Sequence, residues 1–326
     1  MEPLSNKTKV VGVDISVART TFAIVDIRGR VLASSTIPTD GYPKVDHFVR
    51  ALSEAIIELC ENNGGIEQIR SVGISCPSGN SVTGSMHNSP NMPWKGVVPL
   101  AALLRDHLGM AVALANDSEV IALGEMAFGS AHGLQTFAVV QVGSGVGAAF
   151  FMNRKIFTGA EGFAGELGHV CVVPNGRQCG CGLRGCLEEY VAGKGVVHTA
   201  QELLEESNEP SLLRDCEKLS SRFIAECCDK GDKLAIEVFR RTGECLGLGL
   251  ANLATLVDPE AIVLVGGVIN AGDWILKPTA ESFRSHVFGN IRDKVKLMRS
   301  SLPDDERNLL GASALAWHVK EYSLFK

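Results

Sequence analysis

A histidine and three cysteines stand close together in the chain. His169, Cys179, Cys181 and Cys186 follow the spacing H-x9-C-x-C-x4-C, with glycines at 180, 182 and 185. Thiolate and imidazole suit zinc, which takes such ligands in a tetrahedron. The interleaved glycines let the chain turn tightly around one ion. With all four positions filled by protein, the ion would be a structural Zn2+, because a catalytic zinc keeps a position open. The chain holds 10 cysteines in all, so incidental clustering is the alternative.

Gln141 to Gly147 reads Q-V-G-S-G-V-G between two apolar runs. Successive backbone N–H groups in such a turn can surround a phosphate, and glycine permits close approach. Gly143, Gly145 and Ala148 also fit the loose dinucleotide-binding spacing, but that motif must open a helix. Ala148–Met152 followed by Asn-Arg-Lys reads as a second strand, which favours a hairpin clasp; a plain β-turn is the alternative.

Two acids follow strand-like runs. Asp14 could orient a hydrated Mg2+ beside a phosphate. Asp117, preceded by Asn116, could accept a hydroxyl proton during phosphoryl transfer, where positioning and charge stabilisation provide most of the catalysis. Its alternative role is the N-cap of the helical run that follows. Glu166, His169 and Glu188 flank the proposed zinc and could bind vicinal sugar hydroxyls, held rigid by the metal. Alternatively the two glutamates are surface charges.

These residues need elements to position them. Val10–Val13, Thr20–Val25 and Val31–Thr36 read as strands of a meander, with the turn Asp26-Ile27-Arg28-Gly29 between the second and third. Apolar residues from Val45 to Leu59 follow the helical period. Val72–Cys76 reads as a strand, Ser78 to Gly96 as a long loop, Leu100–Leu108 as a helix and Ala111–Ala115 as a strand before a helix to Phe128. The pattern then restarts. Phe137–Val142 and Ala148–Met152 are strands, Val191–Glu206, Leu212–Cys228 and Leu234–Leu256 are helical, and Ile262–Val265 is a buried strand ending in Gly266-Gly267. The repetition suggests two similar α/β domains. The N-terminal one covers 1–122, joined by a C-terminal helix over 312–326, and the larger one covers 123–311.

The 326 residues are 45% hydrophobic and 21% charged, which excludes a disordered chain. Net charge is −6 and aromatics are 6%, so nucleic acid is not expected as a partner. No apolar run at the N-terminus suggests a signal peptide, and Ala127–Asn153 is too interrupted for a membrane helix, so a cytoplasmic protein is expected.

Taken together, the segments resemble the ROK family of sugar kinases. The likeness spans nearly the whole chain. Its most specific part is Gly165-Glu-Leu-Gly-His169 followed by Cys-Gly-Cys-Gly-Leu-Arg-Gly-Cys-Leu-Glu188. Ser89-Pro-Asn-Met-Pro-Trp94 resembles the glucokinase-type sugar loop, Ala115-Asn-Asp117 the catalytic strand end, and Val265-Gly-Gly-Val268 the adenosine segment. The resemblance implies an actin-like ATPase (ribonuclease-H-like) fold with two similar domains and an interdomain cleft, usually assembled as a homo-oligomer, dimer or tetramer. It implies transfer of the ATP γ-phosphate to a hexose, most simply the 6-OH of glucose. Asp117 would be the general base. Gly79, Asn91, Asn116, Glu166, His169 and Glu188 would bind sugar. Gly143, Ser144, Gly145 and Gly147 would cradle phosphates, and Gly266 and Gly267 would approach the nucleoside. His169 would serve both sugar and zinc through its two ring nitrogens. No winged-helix segment precedes the kinase-like region, which disfavours the repressor branch.

One segment departs from the family. Its first phosphate loop reads Asp-x-Gly-Gly-Thr, whereas this chain has Asp14-Ile15-Ser16-Val17-Ala18. A β-branched Val17 resists positive φ, so strain is expected if the usual loop is kept. Arg19, Thr20 or Thr21 are the candidate substitutes. Two readings follow: an active kinase with altered ATP handling, or a sugar sensor that keeps only the hexose site. Trp94 in the sugar loop points weakly to glucose.

Overall fold

The computed structural model describes residues 7–89 and 92–319. The chain divides into two units. The first runs to Gly133, takes in Thr158–Ala164 and resumes at Ser301, and the second comprises Leu134–Phe157 and Gly165–Ser300. This division sets the first crossing at Gly133 and the return at Ser301, where the sequence suggested 122 and 312.

The first unit opens with β1 (Lys9–Ile15), β2 (Arg19–Asp26) and β3 (Val31–Pro38), an antiparallel meander. Helix α1 (Val45–Glu61) buries Phe48, Val49, Leu52, Ile56 and Cys60, residues that recur at helical spacing. Burying each large apolar side chain contributes about 1.5–3 kcal/mol. Strand β4 (Ile69–Ser75) then pairs parallel with β1. The expected loop from Ser78 contains a small antiparallel sheet of β5 (Gly79–Asn80), β6 (Ser85–His87) and β7 (Val97–Val98). Strands of two or three residues carry no readable period. Helix α2 (Leu100–Leu108) ends at Gly109, whose φ of 64° is the left-handed stop glycine supplies. Strand β8 (Val112–Ala115) completes the main sheet in the order β3-β2-β1-β4-β8, and α3 (Asp117–Phe128) follows.

The second unit repeats this plan. Strands β9 (Phe137–Val142), β10 (Val146–Met152) and β11 (Lys155–Phe157) form a meander, turned at Asn153 and Arg154, both at positive φ. Phe137 and Phe151 pair across β9 and β10 with rings stacked at 4.8 Å. Helices α4 (Glu188–Val191), α5 (Gly193–Glu206), α6 (Ser221–Asp229) and α7 (Lys233–Val257) lead to β12 (Ala261–Val265), α8 (Asp273–His286) and β13 (Lys296–Arg299). The sheet order is β11-β10-β9-β12-β13, with β12 parallel to β9 and to β13. Strand for strand, this is the arrangement of the first sheet.

The single helix expected over 212–228 is two pieces. A short 3-10 turn at Leu212–Asp215 is followed by α6, whose N-cap Ser220 accepts the Phe223 N–H. The chain then returns to the first unit as α9 (Arg307–His318), and residues 320–326 of the expected C-terminal helix lie outside the described residues. Gly12 and Gly73, paired across β1 and β4, let this helix descend onto the sheet. A Cβ at Gly12 would meet the Leu309 carbonyl oxygen at 2.5 Å, and one at Gly73 would meet that of Ala312 at 2.0 Å.

Candidate active site and metal centre

In the first unit the parallel strands end in a row. Asp14 on β1 lies opposite Ser75 on β4, and Ser75 lies opposite Ala115 on β8. Asn116 follows as the N-cap of α3, its side-chain oxygen accepting the Glu119 N–H at 2.9 Å. Asn116 therefore takes the cap role considered for Asp117. The Asp117 carboxylate instead accepts the Ser75 hydroxyl at 2.8 Å. Burial pushes the Asp117 carboxyl up to about 6; the Ser75 hydrogen bond opposes this and the Asp14 charge adds to it. Asp14 is also raised by burial, opposed by the Asn308 hydrogen bond, the neighbouring Ser75 hydroxyl and the charge of Arg19. The Asn308 amide donates to Asp14 at 3.0 Å. Cys76, fully buried beside both acids, is held protonated by burial and by their charges. Sequence reasoning missed Ser75 and Asn308, because each matters only through a neighbour on another element.

The turn after Asp14 is unstrained. Among the described residues, positive φ at non-glycine positions occurs at Ser78, Asn88, Asn153, Arg154, Asn175 and Asp258, and not between 15 and 19. The strain expected at Val17 is therefore absent: β1 and β2 are joined by a tight turn with its own geometry. Ser16 donates its hydroxyl to the Arg19 carbonyl at 2.7 Å. Of the proposed substitutes, Thr20 is buried against Thr39, hydroxyl to hydroxyl at 2.8 Å. Arg19 remains exposed and acts on Asp14 through its charge.

Gly79 is buried where β5 passes the end of β8. A Cβ there would meet the Ala115 carbonyl oxygen at 2.7 Å, and its N–H is given to the Cys76 carbonyl. Asn91 lies outside the described residues. Trp94 faces the interior of its unit rather than solvent. Its ring is 4% exposed and packs on Phe48 at 4.6 Å, and its Nε1–H donates to the Tyr42 carbonyl at 2.9 Å. It is a core residue of the first unit.

In the second unit, Gly143, Ser144 and Gly145 form the turn between β9 and β10, and Gly147 sits in β10 opposite Gln141. Because β10 is a strand, the helix a dinucleotide fold requires is missing at this turn, and the dinucleotide-binding alternative falls. Strand β12 ends beside the same turn. Gly266 has φ of 104°, and a Cβ on it would meet the Val142 carbonyl oxygen at 2.4 Å. Gly143 and Gly267 differ: neither has positive φ, and nothing lies within 4 Å of a Cβ built on either. Packing does not require glycine at these two positions, whereas close approach of a ligand would. Glu188 supports the turn. Its Oε2 accepts the Val146 N–H at 2.9 Å, and Oε1 faces Lys194 Nζ at 3.4 Å.

The predicted metal ligands come together. The donor atoms of His169, Cys179, Cys181 and Cys186 all lie within 4.8 Å of one another. Cys181 Sγ and Cys186 Sγ are 3.7 Å apart, as are Cys179 Sγ and His169 Nδ1. A tetrahedral zinc with its usual bond lengths has ligand–ligand edges of about 3.6–3.8 Å, so the donor set fits one. His169 Nε2 faces Glu166 Oε2 at 3.8 Å, so the two ring nitrogens have different neighbours, a glutamate and a cysteine.

Comparison with known proteins agrees with this architecture. The ROK family model matches residues 10–319, and the chain belongs to that family. It is 29% identical over 317 residues to a glucokinase of Halalkalibacterium halodurans, covering 95% of this chain and 94% of that one. It is 28% identical over 311 residues to the transcriptional regulator NagC of Escherichia coli, covering 94% of this chain and 74% of the regulator. The crystal structure of a ROK glucokinase from Streptomyces griseus in complex with glucose and AMPPNP superposes with a TM-score of 0.77 at 30% identity, covering 95% of this chain and all of that one. The fold is thus the actin-like ATPase fold of ROK sugar kinases. Among the described residues, no helix is long and apolar enough to cross a membrane.

Proposed function

We propose that the protein is a cytoplasmic ATP-dependent hexose kinase that converts glucose to glucose 6-phosphate and works as a homo-oligomer. The observation that carries this reading is the Asp117 carboxylate, half-buried beyond the strand ends, accepting the Ser75 hydroxyl and pushed up to about 6. Asp117 takes the proton of the sugar hydroxyl as its oxygen bonds to the γ-phosphorus of ATP; the bond from that phosphorus to the bridging oxygen breaks and ADP leaves. Asn116 would direct its amide nitrogen to the hexose, since its oxygen is committed to the cap. Gly79, Asn91, Glu166, His169 and Glu188 complete the proposed sugar set. Gly143, Ser144, Gly145 and Gly147 would receive phosphates on backbone N–H groups, with Gly266 and Gly267 against the nucleoside. Asp14 would hold a hydrated Mg2+, which supplies charge neutralisation at the phosphates. His169, Cys179, Cys181 and Cys186 would hold a structural Zn2+.

A second reading rests on the first turn, which has no glycine and whose Ser16 hydroxyl is already committed to Arg19. It describes a sugar-binding sensor with little or no turnover, and the identity to a regulator at similar level supports it. A coupled ADP-release assay across glucose, N-acetylglucosamine, N-acetylmannosamine, allose and fructose, paired with calorimetry, separates the two. The kinase reading expects ADP release stimulated by glucose. Hexose binding without ADP release at millimolar ATP would establish the sensor.

A further inference from the structure

Ser75 is fully buried on β4, with Asp14 opposite it on β1 and the strand leading to Asp117 opposite it on β8. A serine hydroxyl has one proton to donate. Two carboxylates compete for it, and the geometry shows Asp117 Oδ1 receiving it at 2.8 Å while Asp14 is held by the Asn308 amide at 3.0 Å. We propose that Ser75 is a positioning residue for phosphoryl transfer: its proton commits Oδ1 of Asp117 and leaves Oδ2 to face the acceptor hydroxyl. The inference rests on the kinase reading for its consequence, although not for the hydrogen bond itself.

The division of roles between the two acids follows from this one proton. A carboxylate that accepts a buried hydroxyl is stabilised as the anion and fixed in rotation. Asp117 is thereby kept ready to accept a proton in one orientation, and Asp14, with its own amide donor, keeps its charge for a cation. Without the hydroxyl the two neighbouring acids would repel with nothing between them.

The test compares wild type with Ser75→Ala, Ser75→Cys and Ser75→Thr. The cysteine variant keeps the volume but donates weakly, so it serves where the alanine variant does not fold; threonine keeps the hydroxyl. The 13C carboxyl resonance of Asp117, assigned by its loss in Asp117→Asn, is titrated in each. In the alanine and cysteine variants Asp117 is expected to titrate about one pH unit higher or more, and in the threonine variant near the wild-type value. The acidic limb of kcat is expected to move with it, with kcat about tenfold lower and the hexose KM within about threefold. An Asp117 titration unchanged by loss of the hydroxyl overturns the proposal, as does equal loss of kcat in the threonine and alanine variants. If the titration moves while wild type transfers no phosphoryl group, the kinase reading fails and the pairing of Ser75 with Asp117 stands.

Discussion

His169 Nδ1 lies 3.7 Å from Cys179 Sγ, which makes one imidazole part of the cysteine cluster while its other nitrogen turns to Glu166. A ring fixed on one side by a metal has a fixed direction on the other. Elemental analysis should therefore find one zinc per chain, lost in Cys181→Ser. Calorimetry should then show hexose affinity about 10–100-fold weaker. A zinc-free protein with unaltered hexose affinity would separate the cluster from sugar binding.

Asp117→Asn should lower kcat by about 10²–10⁴-fold, the usual share of a general base, with hexose binding retained in calorimetry. With the carboxyl at about 6, wild-type kcat should rise as pH increases through 6. The stability effect has the opposite sense. The folded-state value lies above the ordinary 3.8, so the protonated acid favours the fold below 3.8 and that contribution is lost as pH rises through 6. Asp117→Asn should therefore melt a few degrees above wild type at pH 8, with the gap closing toward pH 4. Equal gaps at both pH values would contradict the burial of this charge.

The glycines of the second unit divide into two kinds. Gly266→Ala puts a Cβ against the Val142 carbonyl at positive φ and should destabilise by about 1–3 kcal/mol in denaturant titration. Gly143→Ala and Gly267→Ala have open space, so their melting temperatures should hold while the KM for ATP rises about tenfold, since only a ligand feels the added methyl. Unchanged KM in both would remove the turn from nucleotide binding.

Trp94→Phe should leave the ranking of hexoses unchanged. It should cost about 1 kcal/mol of stability, because the Tyr42 carbonyl loses its indole donor inside the core. A changed sugar preference, read from kcat/KM across the panel, would mean that the loop moves with its anchor.

The strands were readable wherever both faces are buried, since Val10–Val13, Phe137–Val140 and Ile262–Val265 are unbroken apolar runs. The clustering of His169, Cys179, Cys181 and Cys186 was readable because their spacing is local. The inward packing of Trp94 was not legible because the direction of a loop side chain is set by a distant partner, here Phe48 on α1. Ser75 left no signal for the same reason: a serine within a strand has no pattern of its own. Helix α8 escaped notice because it carries Pro278, a residue that normally ends a helix. There the proline packs on Gly243 of α7, where a Cβ would come within 2.6 Å of its ring. The false helix over 212–228 came from apolar spacing that runs across Ser220, whose capping hydroxyl marks a new start.

Helix α9 seats its backbone on Gly12 and Gly73, and its Asn308 holds an acid 294 positions earlier in the chain. During synthesis, β1 leaves the ribosome long before that helix does. The nascent first sheet waits uncovered on this face while the whole second unit is made. Connectivity thereby sets an order: the host sheet cannot be sealed by its last helix until the residues of the second unit have been made.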